Sequence, residues 1–388
     1  MDGFTNSIMS KERLRRLTNT LLPYFESILP RTNASQTFTI VDPETHLPAT
    51  CCTQSQVAAF LALDRSINGG QGAATATLLA EDVRRRQNSD GSFSSNYNQA
   101  IGSQGLRDIA EIGASATALF NLSLSLDLEC AKESLNAAAE YLLTQVAVEN
   151  KGAIYKNAQA RHVDILNGDI YAANTLSRAY QLTGTEEFLK QVIEIVDHVE
   201  RRFGAWRPGW WPYSEDWDGM PTTGASVAYQ ATIVGFGMPI CEVLPPFRAR
   251  EWRSLLARAL DTVCFQLPIG PNDDSEAPTW SRDWSNVWEI PLAFSRMSHT
   301  VTGQKFLRTR FEQLDANIAS SGINAFRPRL AVNPGRTAVT TLFRKTATFA
   351  GILADIYFTA LNSDEVHEIP WPPVGASNLS RHYRPREY

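Results

Sequence analysis

The chain has 388 residues, 43% hydrophobic and 20% charged, with 36 lysines and arginines against 41 aspartates and glutamates. Those fractions are ordinary for a globular protein, and a chain this long buries a large core without staples. The net charge of −5, with no basic stripe, lacks the footprint of a nucleic-acid binder.

The one dense basic run, Arg84, Arg85 and Arg86, falls in a helical pattern and reads as a solvated face. No window approaches about 18 consecutive apolar residues, so no membrane span is expected. The first 22 residues are polar and carry Lys11, Arg13, Arg15 and Arg16, without the apolar stretch of a signal peptide. The five cysteines are odd in number and include the adjacent Cys51 and Cys52, which disulfide geometry disfavours as a pair. Together these point to reduced thiols in a cytoplasmic protein.

In chain order, the pattern predicts a helix over 10–28 and a short extended piece over 37–41. From residue 53 onward a fixed alternation follows. Helices rich in small residues are predicted over 53–67, 108–126, 164–182, 222–243, 283–302 and 337–361. Each of the first five leads into a more amphipathic helix, over 73–87, 131–145, 186–202, 249–266 and 304–319. The N-terminal helix is the missing sixth partner. Thr183-Gly184 and Thr302-Gly303 supply glycines that stop a helix and turn the chain. Loops with a glycine near an aromatic residue rhyme after the outer helices, as in Gly91-Ser92-Phe93 and Gly204-Ala205-Trp206.

A period of roughly 45–60 residues marks a repeat architecture. One hairpin cannot bury both faces of its inner helix, so neighbours must stack. The expected fold is all-α: an (α/α)6 toroid, with an open solenoid of the same hairpins as the alternative. It is read as one domain over 1–388, with 1–52 closing the ring, 53–361 forming the hairpins, and 362–388 an extended tail.

The hairpin pattern resembles the six-hairpin superfamily that includes unsaturated glucuronyl hydrolases, sugar 2-epimerases and polysaccharide lyases. Two stretches look more like the first of these. One runs from His162-Val163-Asp164-Ile165-Leu166-Asn167 to Thr183-Gly184, and the other is Arg107-Asp108-Ile109-Ala110-Glu111-Ile112-Gly113. The family's His-Trp-Asp-Asp type signature is absent. The stretch from Gln87 to Phe93 resembles the Gln–aromatic repeat of squalene-cyclase-like toroids, though no Asp-x-Asp-Asp signature accompanies it. Asn272-Asp273-Asp274-Ser275-Glu276 lies between prolines and reads as a loop, not as a helical metal motif.

In such a ring the inner helices start at one mouth, where their N–H groups face the pocket. Acids sit at these predicted starts: Asp108 and Glu111, Asp164 and Asp169, Asp216 and Asp218, Asp283 and Glu289. Any one of them could be only a helix cap. Asp108 and Asp164, one hairpin apart, are the expected catalytic pair. Helices packed at ~8–10 Å could set their carboxyls at the ~5–9.5 Å that glycoside hydrolysis uses. His162, two residues from Asp164, could orient it or carry a proton.

Trp206, Trp210, Trp211, Tyr213 and Trp217 crowd one segment, and Trp284 and Trp288 follow. They suit stacking on a sugar face or a carbocation, or a plain hydrophobic plug. With Asp218, Arg282, Asp283, Arg336 and Arg344 they complete the expected substrate-binding set. The histidines show no metal spacing and no nucleotide glycine motif occurs, so neither metal nor cofactor is expected. The expected partner is a small-molecule or oligosaccharide substrate, with oligomeric state open. Three functions follow: a hydrolase of the unsaturated-uronide type, a cyclase of a terpenoid or polyketide-derived product in secondary metabolism, or a non-catalytic binding toroid.

Overall fold

A computed structural model describes residues 11–30, 38–95, 106–266, 288–296, 301–327 and 341–362. Twelve helices alternate along these residues. The inner set is α2 (Cys51–Asn68), α4 (Ile109–Ser125), α6 (Leu166–Thr183), α8 (Val227–Gly237), α10 (Glu289–Arg296) and α12 (Leu342–Asn362). The outer set is α1 (Lys11–Ile28), α3 (Gly72–Arg86), α5 (Glu129–Leu143), α7 (Glu186–Arg202), α9 (Pro246–Gln266) and α11 (Val301–Ser321). Two short antiparallel ribbons, β1 (Ser94–Ser95) with β2 (Leu106–Arg107) and β3 (Ser214–Glu215) with β4 (Pro221–Thr223), lie in the connections.

Each inner helix packs on the next, and α12 packs back on α2, so the ring closes. This is an (α/α)6 toroid, not an open solenoid. The outer layer closes too, because Arg13 and Arg16 of α1 pair with Asp315 of α11 at 3.2 and 2.6 Å. Burial separates the layers. Helix α6 is buried on every face, whereas α7 buries one stripe made of Phe188, Val192, Ile195, Val196 and Val199. That stripe is the amphipathic signature of a helix covering a core.

Small residues permit the close inner packing. A Cβ on Gly113 of α4 would stand 2.3 Å from Tyr171 Cβ of α6, and one on Gly351 of α12 would stand 2.6 Å from Gln56 Cγ of α2. At the end opposite the mouth, Arg296 of α10 meets Asp355 of α12 at 2.5 Å, and both side chains are buried.

Several sequence expectations are refined. Gly184 ends α6 in the left-handed region at φ 69°, as the Thr-Gly turn required. Gly303 instead falls inside the first turn of α11, so the second Thr-Gly step is no stop. The predicted helix over 222–243 is shorter: β4 occupies its first residues, α8 begins at Val227, and a 3-10 turn over Met238–Glu242 ends it. Pro239 at the start of that turn cannot supply the N–H an α-helix needs there. The extended piece over 37–41 contributes only a bridge between Val41 and Pro48. No described helix is long and apolar enough to cross a membrane.

Close inner packing predicts that Gly113→Ala costs about 1–3 kcal/mol through overpacking against Tyr171. Urea unfolding measures this, and an unchanged midpoint would count against that crossing.

Candidate functional site

The mouth is built where the inner helices begin. Asp108 caps α4: it accepts the Ala110 N–H at 2.9 Å and the Asn157 side-chain amide at 3.0 Å. It remains half-buried, so capping the helix leaves part of its carboxyl accessible. The same loop is stitched to α4 by the Ile109 N–H, which donates to the Lys156 carbonyl at 3.0 Å. Lys156 Nζ then donates to the Tyr213 hydroxyl at 3.1 Å, and the Tyr213 ring stacks on Tyr229 of α8 with centroids 4.2 Å apart. An acid, an amide, an amine and two phenols thus run continuously across the starts of α4 and α8.

Deeper in, three inner helices carry buried polar groups: Cys52 of α2, Glu111 of α4 and Tyr171 of α6. Burial pushes the Cys52 thiol of α2 well up. The carboxylates of Glu111 (α4) and Glu289 (α10) add to that, and the Arg344 guanidinium (α12) opposes it. Burial likewise raises the Tyr171 phenol of α6, with the negative charge of Glu289 next and Cys52 and Tyr229 of α8 also acting on it. Cys52, Glu111 and Tyr171 are buried on α2, α4 and α6, which pack side by side in the ring. Asp108 and Glu111 hold the N-cap and N3 positions of α4, one turn apart, which sets Cβ atoms about 5–6 Å from each other.

Asp164 is placed elsewhere. It precedes α6, whose N-cap is Ile165, and its backbone bridges to Glu215 with bonds of 2.8 and 3.1 Å. Its side chain is buried and bonds His198 Nε2 of outer helix α7 at 2.7 Å. Asp108 and Asp164 therefore share no partner: one carboxyl belongs to the mouth and the other to the seam between layers. His162 is exposed, and the histidine that meets Asp164 is His198. Asp169 of α6 joins this buried cluster, its Oδ2 4.0 Å from His198 Nε2. Glu215 is held by Arg202 at 2.7 Å.

Asp164, His198 and Glu215 each bring a possible ligand atom within 4.8 Å of the others. No spacing in the sequence announced that meeting. The donor chemistry fits a cation poorly. Gly152 N–H fixes the Asn150 side chain at 2.9 Å, and the Asn150 amide then donates to His198 Nδ1 at 2.9 Å. Nε2 therefore carries the ring proton and offers no lone pair.

Among the described tryptophans, Trp210, Trp211, Trp252 and Trp288 are buried in the core. Trp210 and Trp211 are buried, and Trp211 Nε1 donates to the Val199 carbonyl at 2.8 Å while its ring packs on Phe203. Trp206 is partly buried against the same core. Trp288 is buried between Phe326 and Phe349. Trp217 is half-buried, bonds the Arg161 carbonyl at 3.0 Å and meets Tyr155 edge-on. The plug reading fits these rings better than a sugar platform does. Asp218 is exposed on a turn held by Asp216. Arg282, Asp283, Trp284 and Arg336 lie outside the described residues.

His198→Ala should cost about 3 kcal/mol, because it leaves the Asp164 carboxylate buried without its ring donor. The exposed His162→Ala should stay within about 0.5 kcal/mol. Urea unfolding of both variants checks the ranking, and equal losses would contradict it.

No family model and no curated relative matches the sequence. Solved structures do match in shape. A heparin-specific unsaturated glucuronyl hydrolase is 14% identical over 90% of this chain and 96% of its own, with TM-score 0.61. A family 76 α-mannanase from Bacteroides thetaiotaomicron is 12% identical over 90% and 97%, with TM-score 0.62. A sugar epimerase from a ruminal bacterium is 11% identical over 89% and 98%, with TM-score 0.59. At these identities the likeness fixes the architecture: the chain has the (α/α)6 toroid fold that these three carbohydrate-active enzymes share.

Proposed function

We propose that the protein is a glycoside hydrolase acting at the mouth of the toroid, with unsaturated-uronide oligosaccharides as its substrate type. The carrying observation is that Asp108, half-buried at the start of α4, has the buried carboxyl of Glu111 one turn further along the same helix. Asp108 serves as the acid that protonates the sugar. A second carboxylate from the axis, Glu111 or Glu289, serves as base for water. This replaces Asp164 in the expected pair, since its buried bond to His198 keeps it from substrate. Arg344 and Lys156 offer cations for a uronate carboxylate, and the stacked Tyr213 and Tyr229 offer a ring face. The shared fold with a glucuronyl hydrolase and a mannanase supports the sugar class.

A cyclase of an apolar product needs a dry aromatic cavity. The buried carboxyl of Glu111 and the burial of Trp210, Trp211 and Trp288 in the core count against that reading. A purely structural toroid would have no use for the buried Glu111 carboxyl, given what it costs to bury one.

The test is hydrolysis of unsaturated uronyl disaccharides, followed by loss of the ultraviolet absorbance of their double bond, with α-mannan oligosaccharides in parallel. Asp108→Asn should lower kcat/KM about 10²–10⁴-fold without loss of fold. Turnover of mannan alone would keep the hydrolase and overturn the uronide. Full activity of Asp108→Asn on every substrate would overturn the site.

A further inference from the structure

The cluster behind α6 supports an inference that stands apart from the reading of the mouth. Its hydrogen bonds can be followed atom by atom. Gly152 N–H donates to Asn150 Oδ1, so Asn150 Nδ2 donates to His198 Nδ1. His198 Nε2–H therefore donates to Asp164 Oδ2 at 2.7 Å. Ile154 N–H donates to Asp169 Oδ1 at 2.8 Å. Two oxygens remain, Asp164 Oδ1 and Asp169 Oδ2, both buried and neither receiving a donor. Both carboxyls crowd one ring nitrogen, with Asp164 Oδ2 2.7 Å and Asp169 Oδ2 4.0 Å from His198 Nε2. Two ionised carboxylates in contact inside a dry interior repel strongly, and one proton between them satisfies both.

We propose that Asp169 keeps its proton in the folded protein and donates it from Oδ2 to Asp164 Oδ1, so that one shared proton ties α6 to the two loops that line the mouth.

The surrounding charges agree. Burial pushes the Asp169 carboxyl well above the ordinary carboxylate range. The negative charge of Asp164 adds to this, the Ile154 N–H opposes it, and Glu215 contributes further. The charged or titratable groups facing it are Asp164, Glu215 of β3 and His198 of α7, with Arg202 of α7 already engaged on both Glu215 oxygens. Asn150 Nδ2 occupies the His198 Nδ1 position, so the ring turns Nε2 toward Asp164 and leaves Asp169 Oδ2 without a donor. A divalent ion would need the His198 Nε2 lone pair and a Glu215 oxygen, and both are committed.

The tie has reach. Ile154 lies two residues before Lys156 and three before Asn157, which holds Asp108. Glu215 lies two residues after Tyr213. Ionising Asp169 would put two like charges on the seam and loosen both loops. If the mouth is the proposed hydrolase site, Asp169 is a positioning residue for it.

The sign follows from the raised pKa. The folded form prefers protonated Asp169, so its contribution to stability is full below the ordinary carboxylate value of 3.8. It is lost as pH rises through the raised value. Asp169→Asn keeps both hydrogen bonds, because the amide oxygen accepts from Ile154 and the amide nitrogen donates to Asp164, and it does not titrate.

The full-length protein near neutral pH should show the infrared band of a protonated carboxylic acid, when all ordinary carboxyls are ionised, and Asp169→Asn should lack it. The thermal midpoint of wild type should fall progressively below that of Asp169→Asn as pH is raised. Should the variant not fold, the wild-type band alone decides: it must be present in the native protein and vanish on unfolding at the same pH. Absence of the band overturns the proposal. So does one equivalent of divalent metal in elemental analysis with a midpoint lowered by chelator.

Discussion

Six helices can share one axis only if their facing sides are small where they touch, and this constraint shapes the rest of the molecule. Gly113 against Tyr171 and Gly351 against Gln56 let α4, α6, α12 and α2 approach closely. With the helices that close, their first turns converge at one end. Closure of the ring brings residues far apart in sequence onto neighbouring inner helices, as with Cys52 of α2 and Glu111 of α4. Polar groups on inner helices are costly to bury without partners, so their presence there is the feature that asks for a functional explanation.

The mouth and the seam behind it depend on each other. The loop carrying Lys156 and Asn157 is held at one side by Asp108 and α4, and at the other by Asp169 through Ile154. The strand after Tyr213 is held by the Asp164 bridge. The same two connections therefore present polar groups to the opening and pack their backbones into the hydrogen-bonded cluster on α6 and α7. A loop anchored on rigid helices in this way positions side chains more accurately than a free one.

Much of the fold was legible because repetition survives when individual motifs do not. The 186–202 helix was read to both of its ends, since its apolar stripe is sharp and Gly184 precedes it. Helix α8 was overextended, because a buried helix and a buried 3-10 turn are alike in composition. The site was less legible. Asp108 was expected at a helix start because a capping acid is visible in sequence, and it does cap α4. Asp164 looked equivalent, but a bridge to Glu215 turns its side chain toward the outer layer. His198 went unnoticed, although a lone histidine in the apolar stripe of α7 was the available signal. The tryptophans left two readings open, because a Trp-rich segment reads the same whether its rings face solvent or core. Only the partners, such as Val199 for Trp211, decide.

Everything proposed for the mouth rests on one event: the polar opening bounded by Asp108 and the stacked tyrosines receives a sugar. A crystal structure of Asp108→Asn soaked with an unsaturated uronyl disaccharide would observe that event itself. The uronate ring should lie between the substituted amide at position 108 and the Tyr213–Tyr229 pair, with its carboxylate toward Arg344 or Lys156. A mouth closed by protein side chains, or a sugar bound only on the outer helices, would contradict it.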